Sequence, residues 1–361
     1  MLEGIRIVEL EGIGPGPFAG MMLADMGADV IVVHRRRAGS GSRAPQNVIL
    51  DRGKRSIELD LKCPADRDIL LKMLRGSDAL IEGFRPGVLE RLKLGTDACL
   101  EVNPALVIGR VTGWGQAGPL AKCAGHDLNY LAMSGAASFS SQAGDPPFPP
   151  PTLVGDVGGG ALYLVAGILA GLLNARMTSR GVVVDASMVD GSAHMLALAM
   201  SLQMTNPARP RETLLNGPHW SRTYLCSDGG YVSVQCLEPH FYSVFLNTAG
   251  LQDDPEFTEQ FDRTLWPKQT ARLAAVFLTR SRDDWAEVFL GTDACVAPIL
   301  TPSESSRHPA LADRSPWIEV EGQLQPRGAP RFSNEPDWRP RASPARGQHR
   351  AEILAELGDD P

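Results

Sequence analysis

The 361-residue sequence carries a net charge of −7, which argues against a nucleic-acid partner while leaving room for a local basic patch. Its 43% hydrophobic and 21% charged content suits a soluble globular protein, long enough for about two domains and able to bury a core without staples. The six cysteines are scattered without a CxxC pair, so free thiols in a reducing cytosol are expected rather than zinc or a redox motif. No basic stretch followed by an apolar run opens the chain, so no secretory signal is expected. The longest apolar run, residues 161–173, is short for a bilayer span and reads as a buried helix. A cytoplasmic protein without a membrane segment follows as the expectation.

In chain order, residues 5–10 form a short β-rich strand, residues 18–26 a helix stopped by Gly27, and residues 28–33 a nearly all-apolar strand. This strand–helix–strand unit opens a parallel α/β sheet. Gly12-Ile13-Gly14 invites a dinucleotide-binding reading. Pro15 and Pro17 weaken it, because they sit where phosphate-binding N–H groups should be, and no acidic residue closes the second strand. His34-Arg35-Arg36-Arg37 follows instead, either a solvated charge cluster or a guanidinium grip on a ribose phosphate.

Strands are expected at 57–61, 79–81, 106–111 and 181–186, the last one buried, with helices at 66–74, 88–92, 127–133, 157–175 and 188–204. Residues 142–151 read as a Pro-rich connection and 207–210 as a linker. Residues 223–236 have hairpin character around Ser227-Asp228-Gly229-Gly230, and helices follow at 239–249 and 270–277. Residues 325–350, rich in Pro and Arg, should run extended before a last helix at 351–357. The expected division is a large α/β domain over 1–190 completed by 330–361, a linker helix over 191–217, a small α+β domain over 218–308 and a returning linker over 309–329.

Two loop-to-helix junctions carry proton-moving groups: His126 in Gly125-His126-Asp127-Leu128-Asn129-Tyr130, and Asp156 in Val154-Gly155-Asp156-Val157. Each also has a structural reading, His126 as a satisfied histidine and Asp156 as a helix N-cap. Glycine is costly inside a helix, so Gly158, Gly159 and Gly160 together suggest a close approach of ligand or backbone. The remaining histidines show no metal-ligand spacing, and no metal is expected.

Gly12-Ile13-Gly14-Pro15-Gly16-Pro17, the stretch Leu23-Ala24-Asp25-Met26-Gly27-Ala28-Asp29-Val30, Gly53-Lys54-Arg55-Ser56, Gly83-Phe84-Arg85-Pro86-Gly87 and Gly113-Trp114-Gly115-Gln116 resemble, in order, the class III CoA-transferase (CaiB/BaiF) family. Gly125-His126-Asp127-Leu128-Asn129-Tyr130, residues 292–298 and Glu352-Ile353-Leu354 are similar to its α-methylacyl-CoA racemase branch. The resemblance implies a Rossmann-like parallel-sheet domain built from both chain ends, a small α+β domain, and an interlocked homodimer. It implies racemisation of a 2-methylacyl-CoA, with CoA as part of the substrate and no separate cofactor.

By the same resemblance, His126 and Asp156 are the acid/base pair and Glu238 orients the histidine. CoA is held at Arg35, Leu59, Lys62, Gly83, Phe84, Arg85, Arg91, Gly125, Asp127 and Tyr130. Two places depart from the racemase pattern. Glu11 stands where alanine is usual, and residues 214–222 replace a loop expected to wall the acyl pocket. Transferases of the family keep the aspartate as a nucleophile and generally lack the histidine, so His126 is the residue that separates racemisation from transfer.

Overall fold

The computed structural model describes residues 1–36, 47–142, 144–201, 211, 213–335 and 338–358. Arg37 and the expected linker at 207–210 lie outside them. The chain divides into two compact units, one of Met1–Ala136, Pro150–Met195 and Ser315–Pro361, the other of Ala137–Pro149 and Leu196–Arg314. The second unit thus takes in residues on both sides of the 218–308 stretch expected for it.

The first unit begins with β1 (Arg6–Leu10), α1 (Pro15–Asp25) and β2 (Asp29–Arg35). Helix α1 starts at Pro15 rather than at residue 18. Proline's missing N–H has no intrahelical partner to lose at N1, so the Pro-Gly-Pro run read as a loop is the helix's first turn. β3 (Arg55–Leu59), α2 (Pro64–Arg75), β4 (Ala79–Glu82), α3 (Val88–Arg91), α4 (Thr96–Val102) and β5 (Val107–Thr112) follow. The seven-residue α4 is not among the expected helices; Cys99 is its buried residue, and it packs with α2.

α5 (Asp127–Ser134) leads to a π-helix, Leu153–Ala161, which runs directly into α6 (Leu162–Thr178). β6 (Val182–Ser187) and α7 (Met188–Ser201) complete the pass. The helix expected at 157–175 is therefore part of a longer helical stretch. Leu153–Thr178 has 26 residues, enough by length and composition to cross a membrane. Its buried face is that of a core helix: Leu164, Val165, Ile168 and Leu172 pack with the sheet residues. A Cβ on Gly109 of β5 would lie 2.6 Å from Leu164 and 3.0 Å from Ile168, so that glycine lets α6 lie flat on the strand.

Six strands form one sheet in the order β3-β2-β1-β4-β5-β6, every neighbouring pair parallel. One face packs Ile7, Val30, Ile81 and Val107 under α1 and α6. The other packs Val8, Ile31, Ile57 and Ile108 under α2, with Ile353 from the chain's end. Alternate residues thus feed opposite cores, as the apolar strands predict for a sheet covered on both faces. β6 departs from its expected burial: Val182 and Val183 are exposed, because β6 is the sheet's last strand.

Within this core Lys54 Nζ stands 2.6 Å from Glu9 Oε2 and 3.6 Å from Asp51, all three buried. Gly20 makes room for the pair, since a Cβ there would sit 1.8 Å from Glu9 Oε2. Burial pushes the Glu9 carboxyl up, opposed by Lys54.

The second unit has the antiparallel strands β7 (Ser221–Leu225), β8 (Tyr231–Gln235) and β9 (Val296–Pro298), with α8 (Pro239–Thr248), α9 (Trp266–Phe277), α10 (Arg282–Phe289) and α11 (Pro302–Ser305). Its core is aromatic, built on Trp220, Tyr242, Phe245, Trp266, Phe277 and Trp285. His219 and Trp220 of the 214–222 stretch belong to that core: both are buried, and His219 Nε2 lies 2.8 Å from the Tyr242 hydroxyl.

The chain then returns to the first unit through an antiparallel hairpin, β10 (Trp317–Val320) and β11 (Gln323–Pro326), which the Pro/Arg-rich composition did not announce. Residues 341–349 run along the outer side of β3. Gly53 N–H donates to Arg341 O at 3.1 Å, His349 N–H to Ser56 O at 2.9 Å, and Ser56 N–H to His349 Nδ1 at 3.1 Å. α12 (Arg350–Glu356) anchors Arg55 through Glu352 at 2.8 Å and Glu356 at 2.7 Å. The chain's own end thereby covers what would otherwise be an open strand edge.

Candidate active site

Strand order reverses between β1 and β4, and crevices for ligands form at such a switch point, beyond the strands' carboxyl ends. Two cavities lie there, of about 530 and 450 Å³. Ile13, Gly83 and Phe84 line both, so they adjoin along the loops leaving β1 and β4.

The larger cavity is lined by Arg35, Leu59, Lys62, Gly83 and Phe84, together with Glu11. Carboxylates set its backbone. Glu82 is fully buried; its Oε2 accepts the Phe84 N–H at 2.7 Å, and its Oε1 accepts Arg110 Nε at 2.6 Å. Burial raises the Glu82 carboxyl, opposed by Arg110 and the Phe84 N–H.

The smaller cavity is lined by His126, Asp156, Arg85, Gly125 and Tyr130, with Val111, Trp114 and Met188 among its further walls. Spacing alone could not bring His126 and Asp156 together; the fold puts both on one wall system. His126 is exposed and stands at the N-cap of α5 in extended backbone (φ −138°, ψ 174°). Its N–H donates to Asn129 Oδ1 at 3.1 Å, and its carbonyl accepts the Asn129 N–H at 2.8 Å. The imidazole is thus carried on a backbone fixed from below.

Asp156 is not an N-cap. It sits inside the π-helix, a rare geometry found disproportionately at functional sites. Its backbone N–H donates to Asp127 Oδ1 at 2.9 Å, and Asp127 Oδ2 accepts the Thr152 N–H at 3.0 Å. Asp127 therefore ties the two junctions together, a role its sequence position did not reveal. Burial and then the Asp127 charge push the Asp156 carboxyl above its ordinary value, while His126 pulls it down.

Glycines make this geometry possible. Gly14 has φ +69°, and a Cβ there would meet Asp156 Oδ2 at 3.6 Å. A Cβ on Gly155 would lie 2.5 Å from Asp127 Oδ1. The Gly158–Gly160 run answers to backbone approach: a Cβ on Gly159 would stand 2.8 Å from Ser192 N and 2.9 Å from Met188 O. Tyr130 is buried, donates to the Gly125 carbonyl, and meets Trp114 edge-on with centroids 4.8 Å apart.

Arg91 and Asp127 are not among the residues lining either cavity; Arg91 is exposed on α3. Glu238 belongs to the second unit, where it is the N-cap of α8 and its carbonyl accepts the Tyr242 N–H at 2.9 Å.

The sequence profile of CoA-transferase family III matches residues 2–350. The chain is 39% identical to the α-methylacyl-CoA racemase of Mus musculus, the match covering 99% of this chain and 93% of that one. It is 39% identical to the Homo sapiens racemase with the same coverage. Among solved structures it is similar to a CaiB/BaiF family protein from Brucella suis, with a TM-score of 0.79, 26% identity and 99% of each chain covered.

Proposed function

We propose, because the chain belongs to the CoA-transferase family III, that it is an isomerase interconverting the two configurations of a 2-methylacyl-CoA at Cα. The observation that carries this reading is that His126 and Asp156 line one cavity, directly beside a second cavity bearing Arg35 and Lys62.

Inverting a carbon next to a thioester needs a proton removed on one face and returned on the other. Histidine as a residue type can take up or release a proton between about pH 5 and 8, and His126 is the histidine at this cavity. Asp156 is moved toward that range by burial and by Asp127. In one direction the neutral imidazole takes the α-proton, the thioester becomes an enolate, and the protonated Asp156 returns a proton to the opposite face. In the other direction the roles exchange. Both starting states hold one shared proton, so both directions titrate together with pKa values belonging to the pair. The first N–H groups of α5 are donors for the enolate oxygen.

In this reading CoA lies along the two adjoining cavities, with Arg35, Lys62 and Arg85 offered to its phosphates and Leu59, Gly83, Phe84, Gly125 and Tyr130 shaping its course, while Arg91 would reach it from α3, outside both linings. Asp127 acts on Asp156 rather than on the ligand. Glu238 is a further member of the proposed catalytic set, and two chains assemble as an interlocked homodimer in the cytoplasm.

The test is incubation with one epimer of a 2-methylacyl-CoA in D₂O. Deuterium at Cα with loss of optical purity supports the proposal. Formation of a new acyl-CoA from an added carboxylic acid, without exchange, would replace it by transfer through Asp156 as nucleophile.

A further inference from the structure

Glu11 lines the larger cavity, where a lone carboxylate should repel a phosphate. It is not alone. Arg346, near the chain's end, grips it as a fork, Nη1 to Oε1 at 2.6 Å and Nη2 to Oε2 at 3.0 Å. Both backbone groups of Arg35 are tied to the same pair: its N–H donates to Glu11 Oε2 at 2.7 Å, and its carbonyl accepts Arg346 Nη2 at 3.1 Å. Arg346 is itself shared with Glu58, Nε to Oε1 at 3.5 Å, and His34 Nδ1 stands 3.7 Å from Glu11 Oε1. Burial would raise the Glu11 carboxyl, but the nearby His34 and the hydrogen bonds from Arg346 and the Arg35 N–H hold it well below the usual range, so it is an anion throughout the working pH range.

We infer that Glu11 and Arg346 are a positioning pair that fixes the backbone of Arg35 and neutralises the cavity wall, so that the C-terminal segment sets affinity for the phosphate-bearing end of CoA. The inference rests on the acyl-CoA reading above. Glu11 holds the Arg35 N–H, and Arg346 holds the carbonyl and cancels the Glu11 charge. The two losses are therefore unequal. Removing Arg346 leaves an uncovered carboxylate facing the ligand. Removing Glu11 loses a positioning bond but leaves a cation.

The test measures the Kd of coenzyme A and of 3′-dephospho-CoA by calorimetry on the full chain, alongside thermal stability. R346A should weaken CoA binding by roughly tenfold or more, the size of one charge-assisted hydrogen bond, and E11A by less. The double variant E11A/R346A should bind CoA more tightly than R346A alone, because the exposed carboxylate is gone. R346K keeps the charge but loses the fork and should fall between wild type and R346A. With substrate, KM should rise by a larger factor than kcat falls.

A merely structural staple predicts the opposite pattern: lower thermal stability in every variant with CoA affinity unchanged, which overturns the inference. So does a double variant no better than R346A. Wild type that binds CoA but exchanges no α-proton sinks the racemase reading and leaves this one standing. Wild type that binds no CoA sinks both.

Discussion

Around the larger cavity the backbone is held by carboxylates. Glu11 takes the Arg35 N–H and Glu82 takes the Phe84 N–H, and each acid is neutralised by an arginine, Arg346 or Arg110. Around the smaller cavity the backbone is held mainly by missing side chains. Gly155 and Gly159 let loop and helix approach closer than a Cβ allows, Gly14 takes the left-handed backbone beside Asp156, and a single charged group, Asp127, laces the two junctions. The difference matches the task proposed for each place. A charged pair neutralises itself and can sit beside a phosphate without perturbing it. A catalytic carboxyl needs the reverse: an unneutralised neighbour and partial burial, so that its proton affinity rises.

Breaking each side should therefore fail in its own way. The largest effect is expected for His126→Ala. Exchange at Cα should fall by about 10²–10⁴, while CoA affinity changes little; deuterium incorporation from each epimer measures the first and calorimetry the second. If exchange persists on both faces, His126 is not the base.

Gly159→Ala should come next. The added methyl meets the backbone of Ser192 and Met188, which cannot swing aside as a flexible side-chain end could. A loss of about 1–3 kcal/mol of stability is expected, with exchange lost before CoA binding is. A variant as stable as wild type would show that α7 can yield.

Asp127→Asn sharpens the electrostatic half of the comparison. Asp127 raises the Asp156 carboxyl, so neutralising it should move the acid limb of the kcat/KM profile to lower pH. An unmoved limb would mean that Asp127 acts on Asp156 only through its hydrogen bonds to the backbone.

The smallest expected effect is a gain in stability. The folded-state proton affinity of Asp156 is raised above that of the unfolded chain, so its contribution to stability is present at low pH and is lost as pH rises through the folded pKa. Asp156→Asn does not ionise. It should therefore melt higher than wild type at neutral pH, with the difference vanishing in acid, while its loss of exchange follows that of His126→Ala. A lower melting temperature at neutral pH would contradict the sign.

Much of the large sheet was legible because apolar strands, glycine stops and proline starts are local signals, and ordered motifs such as Gly83-Phe84-Arg85-Pro86-Gly87 pointed to the family. The boundaries that slipped did so where a local signal has two meanings. Pro15 and Pro17 argue against a phosphate-binding turn yet are at home in a helix's first turn. A Val-rich strand reads as buried, yet β6 lies at the sheet's edge.

By itself, then, the sequence determined the parallel α/β architecture and nominated His126 and Asp156 as groups able to move a proton. Tertiary structure alone decided that they share a cavity, because they are 30 positions apart and are tied through the Asp127 Oδ1 bond to the Asp156 N–H, which itself spans 29 positions. It also decided that Arg346 reaches Glu11 across 335 positions and that His349 completes the edge of β3. Helix and strand periodicity carry information over a turn or two of chain. Contacts across such separations are set only when the sheet's order brings the strand ends, and the chain's own end, to one edge.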